Sequence, residues 1–187
     1  MTEIWTIRSL LGWTTRYFEQ KEIASPRLDA EILLAHALDC QRIDLYLSPD
    51  KPVQESERTV FRTLVKRRAA REPVAYITGT KEFWSREFKV NKYVLIPRPE
   101  TEHLIETALE LMPENEKAVV AELGTGSGCI AITLAAERPE WKVIAGDVSE
   151  DALTIAKTNS TSHDVDDKIV FITSSWFENF GRLVPEN

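Results

Sequence analysis

Glu122, Gly124, Gly126, Gly128 and Asp147 are the residues whose types and spacing can do chemistry. The first four lie in AVVAELGTGSGCIAI, residues 118–132. An apolar run meets a carboxylate, then the tight repeat Gly124-Thr125-Gly126-Ser127-Gly128, then a second apolar segment that stops at Arg138-Pro139. A short apolar run bounded by glycines suits a buried parallel strand, and the longer segment after it suits a helix ended by Pro139. Strand, glycine turn and helix in that order aim backbone N–H groups at a ligand from a helix N-terminus. Glycines serve there because a Cβ would obstruct both the turn and a close approach. The next strand-like run, Trp141 to Ala145, leads to Asp147. An acid about 20 residues past the glycines is placed to accept hydrogen bonds from ribose hydroxyls. The chemistry read from these residues is the binding of a nucleoside-containing ligand.

The glycine spacing narrows the ligand. A pyrophosphate-binding fingerprint reads G-x-G-x-x-G, and counted from Gly124 its third glycine falls on Cys129. The observed E-x-G-x-G-x-G resembles instead the first motif of S-adenosyl-L-methionine-dependent methyltransferases, whose donor is cationic and carries no phosphate. A nicotinamide-dependent oxidoreductase is the competing reading, disfavoured by Cys129.

The elements that must position these residues follow from periodicity. Ile4 to Gln20 carries a helical apolar stripe, and Ser25-Pro26 opens a second helix as N-cap and first residue. Ile43 to Leu47 is a short apolar piece. Glu55 to Arg71 is a long helix with Val60, Phe61, Leu64 and Val65 on one face. Arg58, Arg62, Lys66, Arg67, Arg68 and Arg71 are read as its other face, either a solvated surface or a partner contact. From Pro73 the composition turns aromatic and β-branched. Two or three short antiparallel strands are expected there, with Thr78-Gly79-Thr80 as a turn. Pro97-Arg98-Pro99 then fixes the backbone before a helix with an acidic first turn that runs to Pro113. Beyond the glycine loop come a helix from about Glu150 to Asn159, a strand Ile169 to Ile172, and Ser174-Ser175-Trp176-Phe177. The β-α-β-α-β order predicts a doubly wound parallel α/β sheet with right-handed crossovers. The domains are thus a helical bundle over residues 1–72, a β-hairpin linker over 73–97 and a sheet domain over 98–187.

Composition excludes several classes. The 187 residues are 43% hydrophobic and 28% charged, with no apolar run of bilayer-spanning length, no secretory signal and no metal-ligand spacing. Two lone cysteines, Cys40 and Cys129, fit a reduced cytoplasmic setting. The net charge of −7 is divided unevenly: residues 1–99 hold 17 basic and 13 acidic residues (+4), residues 100–187 hold 6 and 17 (−11). A nucleic-acid groove is disfavoured on the acidic half, and the basic half leaves room for an acidic partner.

Taken together, AYITGTKEFWSREFKVNKYVLIPRPETEHLIE, ELGTGSGCIAI, IAGDVSEDAL and SSWF resemble the glutamine N5-methyltransferases of peptide chain release factors, the HemK/PrmC type. The resemblance implies a methyltransferase that takes S-adenosyl-L-methionine and acts on release factors, with the helical bundle recognising the substrate. It implies that Gly124, Thr125, Gly126, Ser127 and Gly128 wrap the methionine part of the donor and that Glu122 sits near its ammonium group. It further implies that Asp147 holds the ribose, that Trp176 packs against the adenine, and that Arg98 to Glu102 border the pocket. Ser175 stands where the family carries Asp. Trp176 as a core aromatic beside Phe177 is the alternative reading. The family's catalytic Asn-Pro-Pro-Tyr follows a fourth strand, and this chain stops at Val184-Pro185-Glu186-Asn187. The expectation is therefore a fragment, truncated after the third strand and inactive alone, with its first strand at an exposed edge. An adenine-N6 nucleic-acid methyltransferase and a non-catalytic adaptor are the alternatives.

Overall fold

The computed structural model describes residues 4–112 and 116–182. The expected helix stop at Pro113 and the terminal Val184-Pro185-Glu186-Asn187 lie outside the described residues. The chain divides into two units, residues 1–78 and 79–187.

The first unit is all helical. Its helices are α1 (Ile7–Gln20), α2 (Pro26–Ala37), α3 (Arg42–Leu47), α4 (Glu55–Ala69) and the single turn α5 (Val74–Thr78). Thr6 caps α1 by accepting from the Ser9 N–H, while Ser9 Oγ accepts from the Thr6 N–H, so two otherwise orphaned donors are satisfied. The apolar stripes meet in a core of Leu10, Leu11, Phe18, Leu33, Leu34, Phe61, Leu64 and Val65. Glu31 is buried among them, and its carboxylate accepts from Arg27 at 2.5 Å, Arg42 at 2.9 Å and the Tyr46 hydroxyl. Those hydrogen bonds hold Glu31 below the usual carboxylate range although burial pushes the other way.

Residues 74–78 were expected in a strand and form α5. Pro73 presets the helical φ, the Tyr76 and Ile77 N–H groups donate to the Pro73 carbonyl, and Ile77 is buried in the helical core. Gly79, at φ +83°, ends the turn. The basic face of α4 is also largely spent inside this unit. Arg58 pairs with Glu55, Arg67 with Glu72 at 2.5 Å and Arg68 with Asp29 at 2.7 Å, while Arg71 donates to the Glu22 carbonyl.

The second unit opens with an antiparallel hairpin, β1 (Thr80–Phe83) and β2 (Arg86–Lys89). The hairpin itself closes at Trp84-Ser85, both at positive φ, while the expected turn at Thr78-Gly79-Thr80 is the bend between α5 and β1. The Trp84 N–H donates to Glu102 Oε1 at 2.8 Å and its indole N–H to Glu137, so carboxylates from distant segments hold a turn that has no glycine. A 3-10 turn, Pro99–Thr101, leads into α6 (Glu102–Leu111).

Three parallel strands follow: β3 (Val119–Leu123), β4 (Lys142–Asp147) and β5 (Ile169–Thr173), paired in the order β3-β4-β5. Helices α7 (Cys129–Glu137) and α8 (Glu150–Ser162) make the two crossovers. Glu122 is in register with Ala145 and Asp147 with Thr173, which brings the carboxyl ends of the strands together. Val143 and Ala145 on β4 are buried with Ile132, Ala135, Trp141 and Ile169, and β3 has one paired side among the described residues. None of the described helices is long and apolar enough to cross a membrane.

Candidate donor-binding site

At the carboxyl ends of β3 and β4 the backbone leaves the sheet through three glycines. Gly124, Gly126 and Gly128 have φ of +73°, +55° and +80°, a region that costs L side chains strain. The loop hangs from β4, because the Gly124 and Thr125 N–H groups both donate to the Gly146 carbonyl, at 2.8 and 3.0 Å. The Gly128 N–H donates to the Thr125 carbonyl at 2.8 Å and closes the turn onto α7.

The glycines do different work. A Cβ on Gly128 would stand 2.9 Å from Ile132 Cδ1 and 3.1 Å from the Ala156 Cβ, so this glycine lets α7 and α8 pack closely. A Cβ on Gly124 or Gly126 would meet nothing within 4 Å. Those two leave backbone bare beside open space, as a ligand's close approach requires.

Two carboxylates frame the loop. Glu122 is buried near the end of β3, where Oε2 accepts from the Thr125 hydroxyl at 2.7 Å and from the Ala131 N–H at 3.1 Å. Burial pushes its carboxyl up to about 7, against the pull of those two hydrogen bonds. Asp147 ends β4. Its Oδ2 accepts from the Gly126 N–H and its Oδ1 from the Ser149 N–H, both at 2.9 Å. Asp147 therefore fixes the glycine loop and the start of α8, a role the sequence did not signal. Each oxygen keeps acceptor capacity for a further donor.

Trp176 lies on the turn after β5, which starts beside Asp147 because the Ser174 N–H donates to the Asp147 carbonyl at 2.9 Å. It is 77% exposed at φ +50°, so it is not a core aromatic. Phe177 packs edge-on against Phe180, and the Phe180 ring would lie 2.7 Å from a Cβ on Gly146. Sequence reasoning missed Asn159. This side chain is buried on α8; its amide donates to the Ser127 carbonyl at 2.8 Å and the Lys89 carbonyl at 3.0 Å, and accepts from the Lys89 N–H at 2.8 Å. One residue so ties the glycine loop to the hairpin. The available signal was a polar residue spaced with Ala152 and Ala156 on the buried face of α8.

The residues present fit a nucleoside donor with a cationic tail: two bare glycines beside open space, an aspartate with acceptor capacity to spare, and a buried carboxyl in place of a phosphate-binding cation. No group of His, Cys, Asp and Glu among the described residues could hold a metal ion.

Comparison with known proteins adds two family models and several relatives. Residues 9–79 match the family model described as PrmC N-terminal domain, and residues 103–182 the one described as Methyltransferase small domain. A release factor glutamine methyltransferase of Rhodopirellula baltica is 46% identical over 178 residues, 93% of this chain and 60% of that protein. Those of Nitratidesulfovibrio vulgaris and Geobacter sulfurreducens are 49% identical over 167 residues and 42% over 179. These alignments take 89% and 96% of this chain and 56% and 62% of those proteins. The chain thus spans about three fifths of the length of the curated relatives it matches.

Proposed function

Because this chain belongs to the release factor glutamine methyltransferase family, we propose that it binds S-adenosyl-L-methionine for transfer of the methyl group to a glutamine side-chain amide of a peptide chain release factor. The observation that carries the reading is the pair of hydrogen bonds from the Gly126 and Ser149 N–H groups to Asp147, which set a carboxylate with free acceptor capacity against a bare glycine loop.

Each residue of the site has a part in this reading. Gly124 to Gly128 accommodate the amino-acid end of the donor, Asp147 accepts from the ribose hydroxyls, and Trp176 covers the adenine. Glu122 faces the ammonium group and ionises as that cation arrives. When bound, the donor supplies an electrophilic methyl on sulfonium sulfur. What the chain contributes is orientation: the more rigidly the loop is held, the less entropy is lost in aligning donor and amide. Asn159 and the Gly146 carbonyl supply that rigidity. The helical unit is assigned to substrate recognition and the reaction to the cytoplasm, where release factors act. Residues 1–187 supply the donor side of the site in this reading.

The test is mass spectrometry of a release factor incubated with S-adenosyl-L-methionine and the protein at its full natural length. A methyl-for-hydrogen mass gain on one glutamine, slowed in Asp147→Ala at limiting donor concentration, supports the reading. Gain on adenine in DNA or RNA, with none on the release factor, overturns it.

A further inference from the structure

A cavity of about 620 Å3 opens in the helical unit, between α1 with the residues before it and α4. Trp5, Trp13 and Tyr17 form one side and Phe61 part of the other, with Arg62 and Lys66 at its edge. Trp13 and Tyr17 stack at 5.2 Å between ring centroids, yet Trp13 is 47% exposed. A preassembled aromatic wall left half in water is the composition of a binding anchor, since Trp and Tyr bring large contact area with few rotamers to lose.

The rim has an electrostatic feature of its own. The other four cations on or just after α4 have partners inside the unit, and Arg58, which also lines the cavity, is neutralised by Glu55. Arg62 and Lys66 are exposed and form no ion pair among the described residues. They stand four residues apart on one helix face, where like charges repel. A carboxylate from outside relieves that repulsion and gains two partners at once.

We infer that this cavity docks an acidic segment of the protein substrate, with one large apolar side chain seated against Trp13 and Phe61 and flanking carboxylates paired to Arg62 and Lys66. The inference rests on the reading above that the substrate is a release factor. It adds which surface holds the factor and what chemistry on the factor is recognised. A cavity of this volume takes one large side chain with its neighbours, not a whole helix. Anchor and charge have separable effects: the anchor slows dissociation, while the cations speed association and are screened by salt.

The test is fluorescence anisotropy of a labelled release factor titrated with the full-length protein, at about 50 mM and about 500 mM salt, where screening lengths differ about threefold. Trp13→Ala and the double variant Arg62→Glu/Lys66→Glu should each weaken binding at least about tenfold at low salt. The wild type should lose affinity at high salt and the double variant should not. Arg62→Lys/Lys66→Arg should bind as wild type, and affinity for S-adenosylhomocysteine should be the same in all variants. Both Arg62 and Lys66 are exposed, so the charge variants test docking even if Trp13→Ala loosens the bundle. Wild-type binding that neither variant weakens, or no binding by the wild type, overturns the inference. Binding weakened as stated but without methylation would leave the docking surface standing and overturn the proposed reaction.

Discussion

Replacing Glu122 by Gln should make the protein more stable at neutral pH, and by an amount that grows with pH. The Glu122 carboxyl titrates at about 7 in the fold against an ordinary 4.5, chiefly because burial penalises its charge. Between those values the native state holds a proton that the unfolded chain has lost. Stability from Glu122 is therefore fully present below about pH 4.5, falls as pH rises, and is gone above about pH 7. At about 1.4 kcal/mol per pH unit, the displacement corresponds to a loss of about 3 kcal/mol. Gln keeps an oxygen for the Thr125 hydroxyl and the Ala131 N–H and carries no charge to bury. Urea unfolding followed by circular dichroism, run on both proteins from pH 4.5 to 8, isolates the effect because every other titrating group is shared. The difference in unfolding free energy, variant minus wild type, should rise by about 3 kcal/mol and level off above pH 7. A difference that stays constant across that range would mean Glu122 is ionised throughout, and the burial account would be wrong.

Other consequences are open to measurement. Below pH 7, binding of S-adenosylhomocysteine should release a proton as its ammonium group charges Glu122; calorimetric heats independent of buffer ionisation would place the ammonium elsewhere. Asp147→Ala should weaken that binding by about 1.5–3 kcal/mol, the range for hydrogen bonds to a charged group, and an unchanged affinity by titration would remove Asp147 from the site. Gly128→Ala should destabilise the fold by about 2–4 kcal/mol, because the new Cβ meets Ile132 and Ala156 at a φ that L residues avoid; a thermal melt within a degree of wild type would contradict this. Asn159→Ala leaves the Ser127 carbonyl and the Lys89 backbone without their partner, so a loss of about 2–4 kcal/mol is expected, with faster amide exchange in β2; unchanged exchange there would sever the proposed tie.

The glycine loop was legible because its constraints are local. Three glycines at spacing two, a strand before and a helix after, leave few backbone solutions, and the positive φ values at 124, 126 and 128 are what that spacing demands. Parallel order and the crossover helices followed from the alternation of elements, and Asp147 from its place at a strand end. What stayed hidden depended on partners far along the chain. Arg68 meets Asp29 across 39 residues, and Asn159 meets Lys89 across 70, and no periodicity encodes either contact. Residues 74–78 carry strand-like side chains yet form a helix, because tertiary burial of Ile77 and the preset φ of Pro73 outweigh a weak local preference. The Trp84-Ser85 turn was missed for a similar reason: two non-glycine residues take positive φ in a turn whose Trp84 is held by Glu102 and Glu137, which local sequence does not show.

The claim that Gly124–Gly128 and Asp147 cradle a methyl donor is tested most directly by calorimetric titration of the full-length protein with S-adenosylhomocysteine and, separately, with NAD. The account predicts one site for S-adenosylhomocysteine, weakened in Asp147→Ala and blocked in Gly126→Val, and no heat from NAD. Saturable NAD binding, or S-adenosylhomocysteine binding that both variants leave intact, would contradict it.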